Sequence, residues 1–489
     1  MKTNDYLLLT ATGAYSFLFY QQNAGINFLI FTIVLLSVLV IKNKKLLSYK
    51  KWIWSALLCL LSAVCVFVHS SALSIIANIA SLLLVSALSF NVATSALFSF
   101  LFSCFSILSS IVFIIVDAVV RYQPKKEEEA PKKGYKLIAT LVVLVLGILF
   151  FVMYRASNPL FAENTKWINF DFISIGWIFF TLGGLLLVYA LLYHKTIKPI
   201  ERWENNLSQH NALFVENDLN KKQAETERYA GLLLFVLLNL MLVILNIGDI
   251  QTLYFKGGLP KNVSHSDFVH SGVGLIILSI IIATSLIMFL FRKEFASVKQ
   301  NKLLSAFVYL WIFQNILMLS STAFRNQIYI HDFNFTYKRV GVYVWLILAA
   351  IGLLIMFWKI YQKHSNWYLV RTNVAVWFTV LVLSSTVNWD ILITRYNIQN
   401  KPLAQVDFYY LFSLSDANLP ELLRVTKQAD FAALNHKLMN YTGSVLSRYH
   451  TESYDVLLNA KLQHFFDDYT SDWRSFDLRD QRITESIYH

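Results

Sequence analysis

Asn388-Trp-Asp-Ile-Leu-Ile-Thr-Arg-Tyr-Asn397 is the stretch at which the character of this chain changes. Long apolar runs with short polar connections precede it, and the residues after it have the mixed composition of a folded, water-exposed region. In the whole chain 56% of residues are hydrophobic and 15% are charged, whereas charged residues make up about a quarter of an ordinary globular protein. The composition therefore predicts an all-α, polytopic transmembrane helix bundle with a small C-terminal helical region outside the membrane.

The apolar runs set the expected number of membrane crossings. A hydrocarbon core about 30 Å thick needs about 20 residues of helix to cross it, so we expect about twelve spans, plus or minus one. The first run is short, and the fifth is too long for one simple crossing. The runs cover residues 6–20, 24–41, 52–69, 72–90, 93–120, 137–154, 172–193, 231–253, 270–291, 303–324, 340–360 and 369–387.

Lysine and arginine in the connections predict which helix ends face the cytoplasm. Four basic connections are predicted to be cytoplasmic, at residues 42–51, 121–136, 194–229 and 292–302. The later connections then place the chain after Asn388 on the extracytoplasmic side of the cytoplasmic (inner) membrane. The first two connections conflict, because three crossings between residues 52 and 120 would put them on opposite sides. That region therefore crosses two or four times, or one of its segments is re-entrant.

The same patterns divide the chain into four parts. These are N-terminal transmembrane helices at 1–120, a charged loop at 121–136, the main transmembrane bundle at 137–388 with a polar loop at 194–229, and a C-terminal extramembrane helical region at 389–489. In the last part, Asn418-Leu-Pro-Glu421 predicts a helix start, with Asn418 as the cap and proline in the first turn. Further helices are predicted near 453–469 and 472–487.

Charged side chains at membrane depth or at helix ends are the candidate functional residues, because inserting one costs about 2.5–3.5 kcal/mol. Asp249 and His270 flank one outer connection, where they could pair, relay a proton or hold a cation, or where both simply reach interfacial water. Arg325 and Arg339 flank the next and could bind a phosphate or carboxylate, or pair with Asp332. The candidate functional polar cluster comprises Asp249, His270, Arg325, Arg339, Asn388, Asp390, Arg395 and Asn397.

Asp390 and Arg395 have a second interpretation, as a structural hinge that docks the C-terminal region against the outer helix ends. The sequence has no glycine-rich phosphate loop, no GxSxG or HExxH motif and no zinc-ligand spacing, and its three cysteines lie within apolar runs. We therefore expect no metal site and no cofactor. The net charge of +12 arises from lysine and arginine in short connections, which is typical of topology signals and lipid contact and not of nucleic-acid binding.

Three separated motifs occur in a fixed order: the opening stretch, then Asp407-Phe-Tyr-Tyr-Leu411, then Ser415-Asp-Ala-Asn-Leu-Pro-Glu-Leu422. These motifs and their order resemble those of a family of bacterial multi-pass membrane proteins that is catalogued as a domain of unknown function, the 4153/4173 group. Phe335-Thr-Tyr-Lys-Arg339 and Asp472-Trp-Arg-Ser-Phe476 agree with the resemblance, although a small glycine often stands in that family where this chain has Phe335. The first half of the chain agrees by hydropathy alone. The resemblance implies membership and assigns no reaction.

Two classes of function fit these observations. The favoured one is a non-catalytic membrane protein, either transporter-like or a scaffold for an envelope process, with the lipid bilayer and other envelope proteins as expected partners. No pair of Gly/Pro-broken helices in matching halves supports transport. The alternative is a membrane enzyme that acts on a lipid-linked or phosphate-bearing substrate at the outer leaflet, with Asp249, His270 or Asp390 as acid or base. Convergence of the candidate residues on one cavity favours an enzyme or transporter, and separate pairing favours a scaffold.

Overall fold

The computed structural model describes most of the chain. It covers residues 3–122, 143, 147, 150–151, 153–165, 174–207, 218–251, 265–291, 302–428 and 453–488, with side chains described there except at 3–4, 118–122, 218–224, 265–277 and 404. The predicted charged loop at 121–136 and most of the predicted span at 137–154 lie outside these residues.

Helices form nearly all of the described structure, and no described residue is in a β-strand. The helices are α1 (Thr3–Phe19), α2 (Ile26–Lys42), α3 (Lys50–His69), α4 (Ala72–Phe90), α5 (Ala96–Tyr122), α6 (Pro159–Asn164), α7 (Ile175–Leu192), α8 (Lys198–Asn206), α9 (Asp218–Ile250), α10 (His265–Leu290), α11 (Lys302–Phe333), α12 (Tyr337–Tyr361), α13 (Asn366–Ser384), α14 (Trp389–Asn400), α15 (Phe408–Phe412), α16 (Leu419–Val425), α17 (Tyr454–Asp468) and α18 (Leu478–Tyr488). Short 3-10 turns lie at Lys44–Ser48, Leu403–Gln405, Asp416–Asn418 and Trp473–Ser475.

The prediction of an all-α helical membrane bundle is confirmed. Within the described residues, eight helices are long and apolar enough to cross a membrane, namely α3, α4, α5, α7, α9, α11, α12 and α13. Each coincides with a predicted span. Two further predicted spans, 6–20 and 24–41, correspond to α1 and α2, which have 17 residues each, and 270–291 corresponds to α10. In lipid a helix satisfies all its interior backbone groups by itself, which is why hydropathy predicts these segments well.

The chain forms two compact units. Unit 1 comprises Met1–Arg202, Ser384–Thr386 and Asp468–Thr484, and unit 2 comprises Trp203–Leu383, Val387–Asp467 and Glu485–His489. The four-part division of the sequence stays a prediction. The C-terminal region from residue 389 onward contributes to both units.

In unit 1, α3 and α4 pack closely because small residues line their contact. Ala63 and Ala77 are fully buried there, and so is Asn78. The Asn78 amide donates to the carbonyl of Cys59 at 3.2 Å and to the hydroxyl of Ser62 at 3.2 Å. Small residues let membrane helices approach each other, and an interhelical amide adds hydrogen bonds that lipid cannot replace.

Helix α5 does not run along the length of α7. The Ser106 hydroxyl donates to the carbonyl of Ala190, near the C-terminal end of α7, at 3.0 Å. Asp117 lies about 16 Å further along α5 and would face the middle of an antiparallel neighbour. It instead accepts from Tyr189 at 2.6 Å and from Lys195 at 2.8 Å, at the same end of α7. Helix α5 is also long and apolar enough to cross a membrane, and the number of crossings between residues 52 and 120 stays a prediction.

The segment Asp468–Thr484, which we call the C-terminal clamp, packs against the connection between α1 and α2. The backbone N–H of Ile26 donates to the carbonyl of Phe476 at 2.9 Å. The backbone N–H of Asn23 donates to the hydroxyl of Ser475 at 2.9 Å. A Cβ atom on Gly25 would lie 2.5 Å from the Ser475 carbonyl oxygen, so only glycine permits this approach. The first and last parts of the chain therefore meet within unit 1.

In unit 2, α9 and α11 run parallel to each other. Asn239 donates to the carbonyl of Phe307 at 2.9 Å, and Asn246, further along α9, donates to the carbonyl of Gln314, further along α11, at 3.2 Å. Helix α12 returns along α11 in the opposite direction. The C-terminal ends of α9 and α11 therefore lie at the same end of unit 2 as the start of α12, and the candidate residues are at this end.

Candidate functional site

Helix α14 contains most of the stretch Asn388–Asn397. Asn388 is its N-cap, with the side-chain oxygen accepting from the N–H of Ile391 at 3.1 Å. Asp390 lies in the first turn, where a carboxylate is favoured by the helix dipole. Local sequence thus explains where the helix begins, and the side chains that follow explain where it is attached.

Asp390 joins three segments of unit 2 through its buried carboxylate. One oxygen accepts from the Tyr337 hydroxyl at 2.8 Å, and the other accepts from the Ser415 hydroxyl. The residue is only 7% exposed. A buried carboxylate that receives charge-assisted hydrogen bonds holds its donors firmly, so Asp390 ties α14 to the start of α12 and to the segment before α16.

Asn397 binds the backbone between α11 and α12 at two points. Its side-chain oxygen accepts from the N–H of Phe335 at 2.6 Å, and its amide donates to the carbonyl of the same residue at 2.9 Å. The preceding Asn334 has a φ of 76°, in the left-handed region that asparagine tolerates better than most residues. The tight turn at Phe335, where the related family often has glycine, is therefore held by the far end of α14.

Arg395 and Thr394 attach α14 to α16. The Arg395 guanidinium donates twice to one oxygen of Glu421, at 2.6 and 3.1 Å, and Arg424 donates to the same carboxylate. Glu421 is buried while Arg395 is half-exposed, so the carboxylate is the more costly partner to leave unpaired. Thr394 accepts from the Asn418 amide at 2.9 Å.

The helix start predicted at Asn418 is correct in position and wrong in detail. Helix α16 begins at Leu419 with Asn418 as the N-cap residue, but the Asn418 side chain makes no capping hydrogen bond. Its amide instead donates to Thr394 and to the carbonyl of Leu411 at 2.8 Å. The side chain is fully buried, so tertiary partners take the place of the local backbone.

Lys461 is a buried charged residue that the sequence analysis did not single out. Its ammonium group donates to the carbonyls of Phe412 and Leu414 and lies 3.8 Å from the Asp416 carboxylate. Burial lowers the pKa of Lys461, and the nearby carboxylate opposes that shift. The signal was available, because Lys461 follows Leu458 on the apolar face of α17, where a lysine needs a partner.

Asp249 and Arg325 form an ion pair at the far ends of α9 and α11. Both side chains are largely buried, with 11% and 13% exposed. The pairing brings together two residues of the predicted cluster that are widely separated in sequence. His270, the other residue proposed to face Asp249, is in α10, and its side chain lies outside the described residues.

Arg339 has different neighbours from Arg325. Its guanidinium donates to the carbonyl of Phe333 at 2.9 Å and lies over the ring of Tyr329, 4.4 Å from the ring centre. Asp332 accepts from His331 at 3.2 Å. The two arginines therefore each have internal contacts and do not form one fork toward a common anion.

The described members of the predicted cluster thus have separate partners and do not converge on one another. Asp249 pairs with Arg325, Asp390 with Tyr337 and Ser415, Arg395 with Glu421, and Asn397 with the backbone of Phe335. Among the described residues, no group of three or more histidine, cysteine, aspartate or glutamate side chains is arranged to hold a metal ion.

Fold and site together define a helical membrane protein in which buried polar contacts fasten C-terminal helices to the ends of membrane helices. The chain belongs to the family described as Domain of unknown function (DUF4153), whose model matches residues 30–425. The membership that the motifs implied is confirmed, and the match covers the first half as well as the second. It includes α14 and ends at the last residue of α16. No curated protein and no solved structure matches the chain.

Proposed function

We propose that this chain is a non-catalytic, multi-pass protein of the cytoplasmic (inner) membrane that acts as a scaffold. Its α14–α17 region would be a rigid platform on the extracytoplasmic side, where other envelope proteins bind. The observation that carries the proposal is the separate internal pairing of the candidate residues. An enzyme or permease site would leave several of these groups directed into one shared cavity.

The attachment of the platform supports the same proposal. Asp390, Arg395 and Asn397 lie along α14, and they contact the start of α12, helix α16 and the turn before α12, respectively. A scaffold needs its binding surface held in a fixed orientation, and buried hydrogen bonds at several points supply that rigidity. The positive-inside pattern of the connections at 194–229 and 292–302 supports an extracytoplasmic platform, because it places the start of α12 on that side.

The first arm of the test determines on which side the platform lies. Gln463, on the exposed surface of α17, is replaced by cysteine, and Ser48, between α2 and α3, is replaced in a matched variant. The native Cys59 and Cys65 are buried, and Cys104 is replaced by serine in both variants. A membrane-impermeant maleimide added to intact cells should label Gln463→Cys and not Ser48→Cys. Labelling of Ser48→Cys and not of Gln463→Cys would refute the extracytoplasmic position of the platform.

The second arm tests binding of an envelope protein. A photoreactive residue at position 463 in the full chain should give one discrete crosslinked envelope protein in living cells. The crosslink should be lost in Asp390→Ala, which loosens the platform, and kept in Asp332→Ala, which removes an exposed carboxylate of α11. No protein crosslink from position 463, or one that Asp390→Ala leaves unchanged, would contradict the scaffold.

A further inference from the structure

The contact between α9 and α11 contains a line of buried polar side chains, which we call the polar track. It comprises Asn239, Asn246 and Asp249 of α9 and Gln314 and Arg325 of α11. Gln314 donates to the side-chain oxygen of Asn239 at 2.6 Å, Asn246 donates to the carbonyl of Gln314 at 3.2 Å, and Arg325 donates to one oxygen of Asp249. Phe235 of α9 and Val308 and Trp311 of α11 belong to one buried apolar cluster, so polar side chains buried between these helices need a specific explanation.

Donors and acceptors in the polar track do not balance. Each of the side-chain amides described above is already used as a donor. Three acceptor atoms remain buried without a hydrogen-bond partner among the described residues: the second carboxylate oxygen of Asp249, the side-chain oxygen of Asn246 and the side-chain oxygen of Gln314. These residues are 8%, 6% and 5% exposed. Buried acceptors of this kind need a partner that carries positive charge or donates a proton.

We propose that the polar track binds a small monovalent cation, either Na⁺ or a proton, with Asp249 and Asn246 as its principal ligands. Carboxylate and carboxamide oxygens are hard ligands suited to such ions. Asp249 and Asn246 are separated by three positions on one helix and therefore lie on the same face, one turn apart. A divalent ion is disfavoured because the single carboxylate already shares its charge with Arg325.

The polar track extends from Asn239 to the C-terminal ends of α9 and α11. From Asn239 to Asp249 the helix rises about 15 Å, which is about half the thickness of the hydrocarbon core. Beyond Asn239 the contact is closed by Phe235, Val308 and Leu304, which are 0%, 0% and 3% exposed. We therefore expect a dead-end binding site for an ion and not a path across the membrane. The inference goes beyond the proposed scaffold function, because it concerns ion binding between α9 and α11 and not the α14–α17 platform.

The test measures binding of radioactive sodium to the purified full chain in lipid nanodiscs at alkaline pH. The wild type should bind sodium saturably, and Asp249→Asn and Asn246→Leu should each weaken binding by about tenfold or more, as expected for loss of a ligand to a charged group. Thr322→Val is the matched control, because this buried α11 hydroxyl is satisfied by the carbonyl of Met318 at 2.9 Å. Its sodium affinity should equal that of the wild type.

The proton arm uses the same preparations with choline as the sole cation. If the ligand is a proton, acidification should raise the thermal unfolding temperature of the wild type and leave that of Asp249→Asn unchanged. Among the described side chains, Arg325 is the charged group facing Asp249. A double variant, Asp249→Asn with Arg325→Gln, keeps the test valid if the single variant misfolds. The proposal is wrong if the wild type neither binds sodium nor shows a pH effect that depends on Asp249. Net sodium uptake into sealed proteoliposomes would show a path across the membrane in place of a dead-end site.

Discussion

Replacing Gly25 by alanine should detach the C-terminal clamp from the first helical hairpin. The new Cβ atom would lie 2.5 Å from the Ser475 carbonyl oxygen and 2.6 Å from the Phe476 carbonyl oxygen. Both are backbone atoms, so no side-chain rotation relieves the overlap. Gly25 has a φ of −172°, an extended conformation that alanine also adopts, and the effect therefore comes from contact and not from backbone strain.

The magnitude follows from the hydrogen bonds that must lengthen. Separating the two backbones weakens the bond from the Ile26 N–H to the Phe476 carbonyl and the bond from the Asn23 N–H to the Ser475 hydroxyl, each 2.9 Å long. Each such bond contributes about 0.5–1.5 kcal/mol net. Their loss should therefore reduce the free energy of docking by about 1–3 kcal/mol, or about 5- to 150-fold in the docking equilibrium.

Hydrogen exchange of the Ile26 amide, measured by mass spectrometry on the full chain in nanodiscs, reports this equilibrium directly. Exchange at Ile26 should accelerate by about the same factor in Gly25→Ala. Gly13→Ala is the control, because nothing lies within 4 Å of a Cβ at that position of α1. Alanine there should leave Ile26 exchange unchanged and slightly stabilise the helix. Wild-type exchange at Ile26 in Gly25→Ala would refute the reasoning.

Two further predictions concern buried polar groups in the C-terminal part of the chain. Burial raises the pKa of the Asp477 carboxyl from 3.8 to about 6, so its contribution to clamp docking is present at low pH and is lost as the pH rises through about 6. When the pH is raised from about 5 to about 7.5, the unfolding temperature of the wild type should therefore fall by more than the unfolding temperature of Asp477→Asn. Parallel pH curves for the two proteins would contradict this. Asn397→Ala should lower the free energy of unfolding by about 2–4 kcal/mol, because both backbone groups of buried Phe335 lose their partner. The control, Asp332→Ala, should change the free energy of unfolding by less than about 0.5 kcal/mol. Equal chemical-denaturation curves for the two variants would count against the docking role of α14.

Local sequence patterns predicted the helices well. The predicted span at 72–90 and helix α4 have the same bounds, and the predicted helix at 453–469 corresponds to α17 at Tyr454–Asp468. Hydropathy is a property of consecutive residues, and a helix satisfies its backbone within the same segment. The position of the α16 start at Asn418 was predictable for the same reason, from a cap residue and a proline in the first turn.

The sequence predicted the partners of side chains less well than it predicted the helices. The sequence analysis singled out Asp249 and Arg325 as costly charges but did not pair them. They are neighbours because α9 and α11 run parallel. Likewise the Asn418 side chain binds Thr394 in place of its own helix. Lys461 was overlooked, although its place on an apolar helix face was visible.

The sequence by itself determined that this protein is an all-α membrane bundle, where most of its apolar helices lie, and to which family it belongs. Tertiary structure alone decided that the clamp closes on Gly25, that α5 crosses the end of α7, and that the predicted cluster is divided into separate pairs. The physical reason is the range of the interactions. Burial in lipid acts on each segment through its own composition, whereas a hydrogen bond or ion pair depends on which distant segments come within about 3 Å.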